Sequence, residues 1–522
     1  KSPPQFSSYV VKKIANFTEE QRRKILEKTD YNMFNFPSAM INIDFLTDSG
    51  TCALYQQMWS AIMLGDESYA RNNWYYLFLD AIRDFTTRGD KPKKRYLRMF
   101  EGPITFEQID QDLTEDENER GFVNGGITQL EHPNTFLLPQ GRCCENVLFE
   151  SLKTFWKKND KPPLILSNGL FDTTRANQSS KGFQAFDLFR DDIFDPYPIE
   201  KVGKENPFRG DLNMKRFNEY IEKEADNIPL VIMTLTNNTG AGHPVSMKNL
   251  KEVHKICHEK NIPLWVDAAR VTDNAGFIKK YEPGYQDKSV REILKEIFEL
   301  ADGFHFSLKK TLANMGGVMA FRHGGLFDAK YPKIGDEMKK RQIVQYGNDS
   351  YGAVSGRDLA AVTISLYQVN REDHILPRIE QIEYLAVELA KKDIPVVLPS
   401  GGHAVYIDVN KMFPLGEKYK WSDFMGVGLA AELLARFGIR ACELGYMAWE
   451  LDVEVEKEGK LPEHLPPNLV RMAIPANVYN KEHMDYVVYA FDQLNKDKDS
   501  IPPFEVKRGK YAPLRHFIVG LK

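Results

Sequence analysis

Between Ile228 and Leu235 the chain runs through an almost unbroken apolar stretch of strand length, the pattern of a strand buried on both faces. It ends in Asn237-Asn238-Thr239-Gly240-Ala241-Gly242, residues that favour turns. From Ser246 onward apolar positions recur with the helical period, with Leu250, Val253 and Cys257 on one stripe, until Asn261-Ile262-Pro263 stops them. Leu264-Trp265-Val266 predicts the next short strand. Strand, helix and strand within about forty residues make a βαβ unit, and so a parallel sheet covered by helices. Such sheets bind ligands beyond the carboxyl ends of their strands, which directs attention to Asn238 and Asp267.

After about residue 360 the pattern changes. Helical stretches at Gln381–Lys392 and Leu429–Phe437 alternate with strand-like runs such as Ala404–Val409, predicting a smaller α+β domain. The expected division is 1–45 as an N-terminal arm and part of the small domain, 46–359 as the large domain, and 360–522 as the small domain. Residues 86–131 fit neither: the basic cluster Lys91-Pro92-Lys93-Lys94-Arg95 precedes Asp110, Asp112, Glu115, Asp116, Glu117 and Glu119. That segment is expected to be an exposed insertion, partly ordered at best. No internal repeat is present.

Composition narrows the class without changing this picture. Apolar residues make up 42% and charged residues 27% of the 522, as in an ordinary soluble globular protein. A net charge of −4 gives no strong pull toward nucleic acid or an anionic membrane, so neither is expected as a partner. No run approaches the roughly 18 apolar residues of a spanning helix. Five cysteines make no disulfide framework and point to a reduced, cytoplasmic setting. The chain opens KSPPQF without a charged-then-apolar signal segment, and the absent initiator Met leaves room for an upstream piece.

Several familiar catalytic signatures are missing: the phosphate loop G-x-x-x-x-G-K-[ST], the elbow G-x-S-x-G, H-E-x-x-H, and paired C-x-x-C. His254 and His258 flank Cys257, but two histidines four apart on a helix merely share a face, and no metal is expected there. More informative are Val266-Asp267-Ala268-Ala269-Arg270 and, 43 residues beyond Asp267, the pair Lys309-Lys310 in Phe306-Ser307-Leu308-Lys309-Lys310. An acid ending a buried strand is costly to keep ionised unless a cation faces it. Taken alone, Asp267 is a helix cap or a partner of Arg270, and adjacent lysines are usually solvated. Taken together, they supply a carboxylate for a pyridinium nitrogen and an amine for an aldehyde, as pyridoxal phosphate requires. Gln140-Gly141-Arg142, before a predicted helix from about Glu145, offers backbone N–H groups and a guanidinium for the phosphate, unless it is an ordinary helix start. Phe171 would stack on a ring or else fill core.

Ordered motifs then make the case. Leu46-Thr47-Asp48-Ser49-Gly50-Thr51, Gly65-Asp66-Glu67-Ser68-Tyr69, Gln140-Gly141-Arg142, Asn238 to Ser246, Asp267 to Arg270, Ser307 to Lys310, Ser350-Tyr351-Gly352, Gly401-Gly402-His403-Ala404 and Arg471 to Pro475 follow one another from about Asn35 to the C-terminus, interrupted at 86–131. By these the chain closely resembles the pyridoxal-phosphate β-eliminating lyases, the family of tryptophanase and tyrosine phenol-lyase. The resemblance implies the α/β fold of fold-type I enzymes: a mostly parallel seven-stranded sheet between helices, plus a smaller α+β domain. It implies Lys310 as the cofactor-bound lysine and base, and Tyr69, from a neighbouring subunit, as the acid for the leaving group. Asp267 would pair with the ring nitrogen and Phe171 stack on the ring. Asn238 and Arg270 would bond near its phenolic oxygen, and Gln140, Gly141, Arg142, Ser307 and Lys309 would hold the phosphate. Arg471, with Thr47, Ser49 and Asn238, would take the substrate carboxylate. Glu67, with Gly50 and Asn314, would bind a monovalent cation such as K⁺. A homotetramer with active sites at dimer interfaces is implied as well.

For the substrate, phenol-lyases place an arginine after Met-Glu, whereas here Cys442-Glu443 precedes Leu444. An apolar residue suits indole or a thiol and leaves a phenol hydroxyl unpaired. Asp172 and His516 also resemble the tryptophanase pattern, while Arg175 is closer to the phenol type. The chain departs from the family at Pro139, Cys143, Cys144, Thr311 and a Lys310–Gly316 loop one residue shorter; the two cysteines are read as packing rather than redox thiols. The leading expectation is release of indole, pyruvate and ammonia from L-tryptophan. Alternatives are elimination from cysteine or its S-conjugates, phenol-lyase activity, an aminotransferase, and a scaffold without activity.

Overall fold

Strands whose two faces are both apolar have to be covered twice, and the larger part of this chain is built on that requirement. The structure, a computed structural model, describes residues 7, 11–114, 121–122, 131–156, 161–349 and 353–522. It divides into two units: Ser49–Ile193 with Asn206–Pro377, and Lys1–Asp48 with Phe194–Glu205 and Arg378–Lys522.

The larger unit holds a seven-stranded sheet. Its strands are β1 (Thr135–Leu138), β2 (Leu164–Ser167), β3 (Gln184–Asp187), β4 (Val231–Thr234), β5 (Leu264–Asp267), β6 (Gly303–Ser307) and β7 (Gly317–Phe321), in the spatial order β1-β7-β6-β5-β4-β2-β3. β7 is antiparallel to both its neighbours and every other pairing is parallel, so six strands share one direction. All residues of β4 and β5 are buried. On one face Phe136, Ile165, Ile232, Trp265, Met319 and Phe321 pack against Cys144, Val147, Leu148 and Leu152 of helix α1 (Gly141–Phe155). The edge strand β3 is the partly exposed one. The helix expected from Ser246 is α3, Met247–Glu259, after α2 (Asp172–Ser180). Ser246 Oγ accepts from Asn249 N at 3.1 Å as its N-cap, and Asn261 turns the chain away with φ of 55°.

The large unit runs to Pro377 rather than to 359, because the helix Gly356–Gln368 packs on the helices Gln56–Met63 and Asn73–Arg83 of that unit. The insertion also differs from expectation where it is described. Arg95–Phe100 and Phe106–Thr114 are helical, and a buried charge cluster ties the segment down. Asp84 accepts from Tyr367 Oη at 2.6 Å, from Arg88 Nη1 at 2.7 Å, and from the backbone N–H groups of Lys93 and Lys94 at 2.9 and 2.8 Å. Arg98 grips Asp112 with both terminal nitrogens. Charge segregation along the sequence looks like a solvated segment, and Lys91, Lys93 and Asp110 are indeed exposed, but Arg95 and Arg98 turn inward to Asp112. Residues 115–120 and 123–130 of the same stretch lie outside the described residues.

The smaller unit carries an antiparallel sheet of β8 (Ala404–Asp408), β9 (Cys442–Leu444) and β10 (Leu469–Ala473), in the order β9-β10-β8. Val405, Ile407, Val470 and Met472 enter its core with Leu429 and Leu433 from one helix and Val487 and Phe491 from another. The strand Ile43–Asp44 joins this unit by pairing with Ile439–Arg440.

Asp84→Ala should remove the acceptor of the Tyr367 hydroxyl and of two backbone donors, and one of the two carboxylates that Arg88 Nη1 meets, destabilising the larger unit by about 3 kcal/mol or more. A lower thermal midpoint and faster proteolytic nicking between residues 84 and 114 are expected; an unchanged midpoint would show that the cluster carries no stability.

Candidate active site

Strands running in one direction end on one edge, and the predicted residues collect there. β1 delivers Gln140-Gly141-Arg142 into the first turn of α1, β2 is followed by Phe171, β4 by Asn238, β5 ends in Asp267 with Arg270 just beyond, and β6 ends in Ser307 before the turn Leu308–Lys310. Sequence separation of more than a hundred residues is closed by strand direction alone.

The turn into α1 has the shape of an anion cradle. A Cβ on Gly141 would stand 2.8 Å from Ser307 Cβ, and one on Gly317 would stand 2.5 Å from the Gln140 carbonyl carbon. The first N–H groups of the 15-residue helix α1 therefore open beside the Ser307 side chain, with the helix dipole favouring negative charge. Burial lowers the pKa of Lys309, and the charge of Arg142 lowers it further, so two cations share this corner. A phosphate monoester would relieve that repulsion, and the residues present fit the phosphate of pyridoxal phosphate.

Asp267 is buried at the carboxyl end of β5, where its Oδ1 accepts from Ala269 N at 3.1 Å. Burial opposes its ionisation, yet the His305 imidazole, the Ala269 N–H and Arg270 together hold its pKa below the usual carboxylate range. It is therefore an anion able to face a ring nitrogen. Lys310 Nζ donates to Ser49 Oγ at 3.0 Å, and the Gly50 N–H donates to the Lys309 carbonyl at 2.7 Å, which ties residues 49–50 to the lysine turn. Arg270 and Asn238 are buried; Phe171, half-buried, caps α2, and Asp172 Oδ1 accepts from Thr173 N at 2.7 Å.

Other expected residues are placed differently. Gly50, with φ of 73°, lies so near the Asn314 carbonyl oxygen that an added Cβ would meet it at 2.9 Å. Glu67, however, caps the helix Gly356–Gln368 by accepting from Gly356 N at 3.1 Å and binds Arg357 Nε at 2.7 Å. Tyr69 is 71% exposed. In the smaller unit Arg471 is buried and donates from Nη2 to the Leu46 carbonyl at 2.8 Å, one residue before the half-buried Thr47. β9 and β10 pair Cys442 with Arg471 and Leu444 with Leu469, so Leu444 and Arg471 leave the small sheet on the same face. His516 is no surface residue: it is buried, its ring 5.8 Å from that of Phe34 and 4.2 Å from that of Phe517. Arg175 is paired with Asp187, and Ser350-Tyr351-Gly352 lies outside the described residues. Cys143 and Cys144 are buried and burial pushes both thiols up in pKa, as befits packing. His254 and His258 are spent on the Leu300 carbonyl at 2.7 Å and Asp302 at 2.9 Å.

Two residues at the site escaped sequence reasoning, Glu145 and His305. Their signal was positional: Glu145 sits one helical turn beyond Gly141, and His305 is the one polar residue inside the strand Gly303–Ser307 before its last position.

The mostly parallel central sheet between helices, with a smaller sheet domain, is the fold of fold-type I pyridoxal-phosphate enzymes. An aromatic aminotransferase from Pyrococcus horikoshii shares the fold with a TM-score of 0.51 at 12% identity, over 87% of this chain and 96% of that one. The profile of the family described as beta-eliminating lyase matches residues 44–490. A tryptophanase from Salinibacter ruber is 33% identical over 96% of this chain and 91% of its own length, and a tyrosine phenol-lyase from Symbiobacterium is 33% identical over 94% and 92%. The chain belongs to the beta-eliminating lyase family and is a pyridoxal-phosphate-dependent β-lyase. Among the described residues no helix is long and apolar enough to cross a membrane.

Gly141→Val should force α1 away from Ser307 at a cost of about 1–3 kcal/mol, a loss in cofactor affinity of roughly tenfold to a hundredfold. Equilibrium dialysis of pyridoxal phosphate measures it, and unchanged affinity would remove the cradle from the phosphate's binding site.

Proposed function

We propose that this chain eliminates indole from L-tryptophan, leaving pyruvate and ammonia. The observation that carries the choice of leaving group is the register of the small sheet, which puts apolar Leu444 on the face of Arg471. Arg471 is the proposed carboxylate fork, oriented by the Leu46 carbonyl, and its guanidinium matches a carboxylate with two parallel donors. An amino acid held there meets an aliphatic wall instead of a cation, which favours an indole over a phenol whose hydroxyl would stay unpaired. The aromatic packing of His516 with Phe34 and Phe517 supports the same preference. Arg175, the one feature resembling phenol-lyases, has its charge balanced by Asp187.

Pyridoxal phosphate, when bound, supplies a ring that accepts the electron pair released from Cα. The protein's part is proton movement and positioning. Lys310 takes the Cα proton on Nζ, its amine steered by the hydroxyl of Ser49. Asp267 stays ionised opposite the ring nitrogen; Gln140, Gly141, Arg142, Ser307 and Lys309 hold the phosphate, while Phe171 covers the ring. Asn238 and Arg270 hold the phenolic oxygen. Thr47, Ser49 and Asn238 assist Arg471, and Asp172 takes the indole side. Tyr69, exposed on the single chain, gives its proton to the leaving carbon in a partner protomer of a homotetramer. Gly50 and Asn314 carbonyls with Glu67 form the K⁺ site of that assembly, which requires Glu67 to exchange its partner Arg357.

A panel of L-tryptophan, L-tyrosine, L-cysteine and S-substituted cysteines, assayed for pyruvate, should give the highest kcat/KM with tryptophan and stoichiometric indole. Leu444→Arg should cut indole release about a hundredfold, since a buried charge facing an apolar ring is left unpaired. Sulfide or phenol as the dominant product would overturn the tryptophan assignment, and amine exchange dependent on a keto acid would overturn elimination itself.

Lys310→Ala should lower turnover by roughly 10²–10⁴-fold, and Tyr69→Phe should do so by a comparable factor. Mixed and reassembled, the two inactive variants should regain activity, because one site in each hybrid pair then has both groups. No recovery would place Tyr69 in the site of its own chain.

A further inference from the structure

On the covered face of the sheet, Asp267 is backed by two buried groups that the expected cofactor contacts leave unused. β5 and β6 are parallel and set His305 beside Asp267, so both side chains leave the sheet on one face. On that face Trp265 Nε1–H donates to His305 Nδ1 at 3.1 Å. Gly303 makes the arrangement possible, since a Cβ there would come within 2.1 Å of the Trp265 ring. An imidazole that accepts at Nδ1 carries its proton on Nε2. That nitrogen is 3.5 Å from Asp267 Oδ2 and 3.7 Å from Glu145 Oε1, buried and without a nearer hydrogen-bond partner. Glu145 reaches in from α1 and is itself held by the hydroxyls of Thr173 and Thr174 at 2.8 and 2.7 Å and by the amide of Asn177 at 3.3 Å. All three residues are at least 95% buried.

We infer that His305 is the positioning residue for the ring-nitrogen acid, directing its Nε2–H at Asp267 from behind so that the carboxylate stays ionised and aimed, with Glu145 as the second acceptor that keeps the proton on that nitrogen. The charged groups acting on the imidazole are Asp267 from β5 and Glu145 from α1, and Arg270 acts on Asp267 from beyond the strand end. Burial opposes charge on the imidazole while the two carboxylates favour it, and the Trp265 N–H at Nδ1 holds the ring as the Nε2–H tautomer. The pairing answers a specific difficulty: a buried carboxylate would otherwise tend to take up a proton and lose its hold on a protonated ring nitrogen. The inference rests on pyridoxal phosphate occupying the strand ends and not on which leaving group departs.

The test uses the holoenzyme with pyridoxal phosphate labelled with ¹⁵N in the ring, alongside kinetics. In the wild type the ring-nitrogen signal should stay at its protonated position from about pH 6 to about pH 9. In His305→Phe it should move toward the unprotonated position within that range, with kcat lower by roughly 10–100-fold and KM nearly unchanged. His305→Gln, which keeps a neutral donor, should recover most of the signal position and of kcat. A protonated ring nitrogen and wild-type kcat in His305→Phe would overturn the inference. Should that variant not fold, Glu145→Gln carries the test: a ring nitrogen that stays protonated to pH 9 with unchanged kcat overturns it, and an earlier loss of the proton supports it. Failure of the wild type to bind the labelled cofactor would instead overturn the cofactor's placement.

Discussion

A negative charge held at the end of a buried strand is the constraint on which the active edge depends. Asp267 lies where both faces of the sheet are covered, and a carboxylate in such a place is neutral unless the protein supplies compensation. That compensation dictates neighbours on three sides: a backbone donor in the turn after β5, Arg270 past it, and His305 on the adjoining strand. His305 in turn needs Trp265 to settle its tautomer, and Trp265 needs a residue without a side chain at 303. A chain of small necessities thus runs from one acid through two strands into the helix α1.

The same sheet direction that creates the problem makes the site. Parallel strands expose their carboxyl ends together, so the glycine turn at residues 140–142, an acid from 267 and a lysine turn from 307–310 collect at one edge without any loop having to travel. β7 is the exception, and it serves the cradle: running the other way, it brings Gly317 under Gln140, where any side chain would collide with the turn. The shape of this turn comes from where the backbone is allowed to be, and Arg142 and Lys309 add positive charge to a geometry set by glycines.

The sequence made much of this visible because the β4–α3–β5 stretch obeys simple periodicities. The buried run before Asn237, the cap at Ser246 and the stop at Asn261 are each local, and each appears in the structure within a few residues of its expected place. What order the described part of the insertion has is not local. Asp84 and Tyr367 meet across more than 280 residues of sequence, and nothing in the charge pattern of 86–131 announces that partnership. The domain boundary moved for a similar reason, since the helix Gly356–Gln368 is assigned by what it packs on. Glu145 and His305 were passed over because a buried titratable group has meaning only relative to its neighbours. His305 on its own is a polar residue in a strand; beside Asp267 in register its Nε2 stands 3.5 Å from the carboxylate.

The residues expected to hold the cofactor and two of those expected to meet the leaving group, Leu444 and His516, belong to different parts of the chain. The cradle, the acid and the lysine all sit on strand ends of the larger unit, where a change of any one disturbs packing in the sheet itself. Leu444 lies in a three-residue strand of the smaller unit and His516 in a short turn near its end, both tied into their surroundings mainly by backbone pairing and aromatic contact. A substitution at 444 changes what the face of β9 presents while leaving the ladder with β10 intact, because strand register is fixed by the backbone and not by that side chain. The small sheet can therefore change its side chains one at a time without losing its ladder, and Leu444 on the face of Arg471 is one outcome of that freedom.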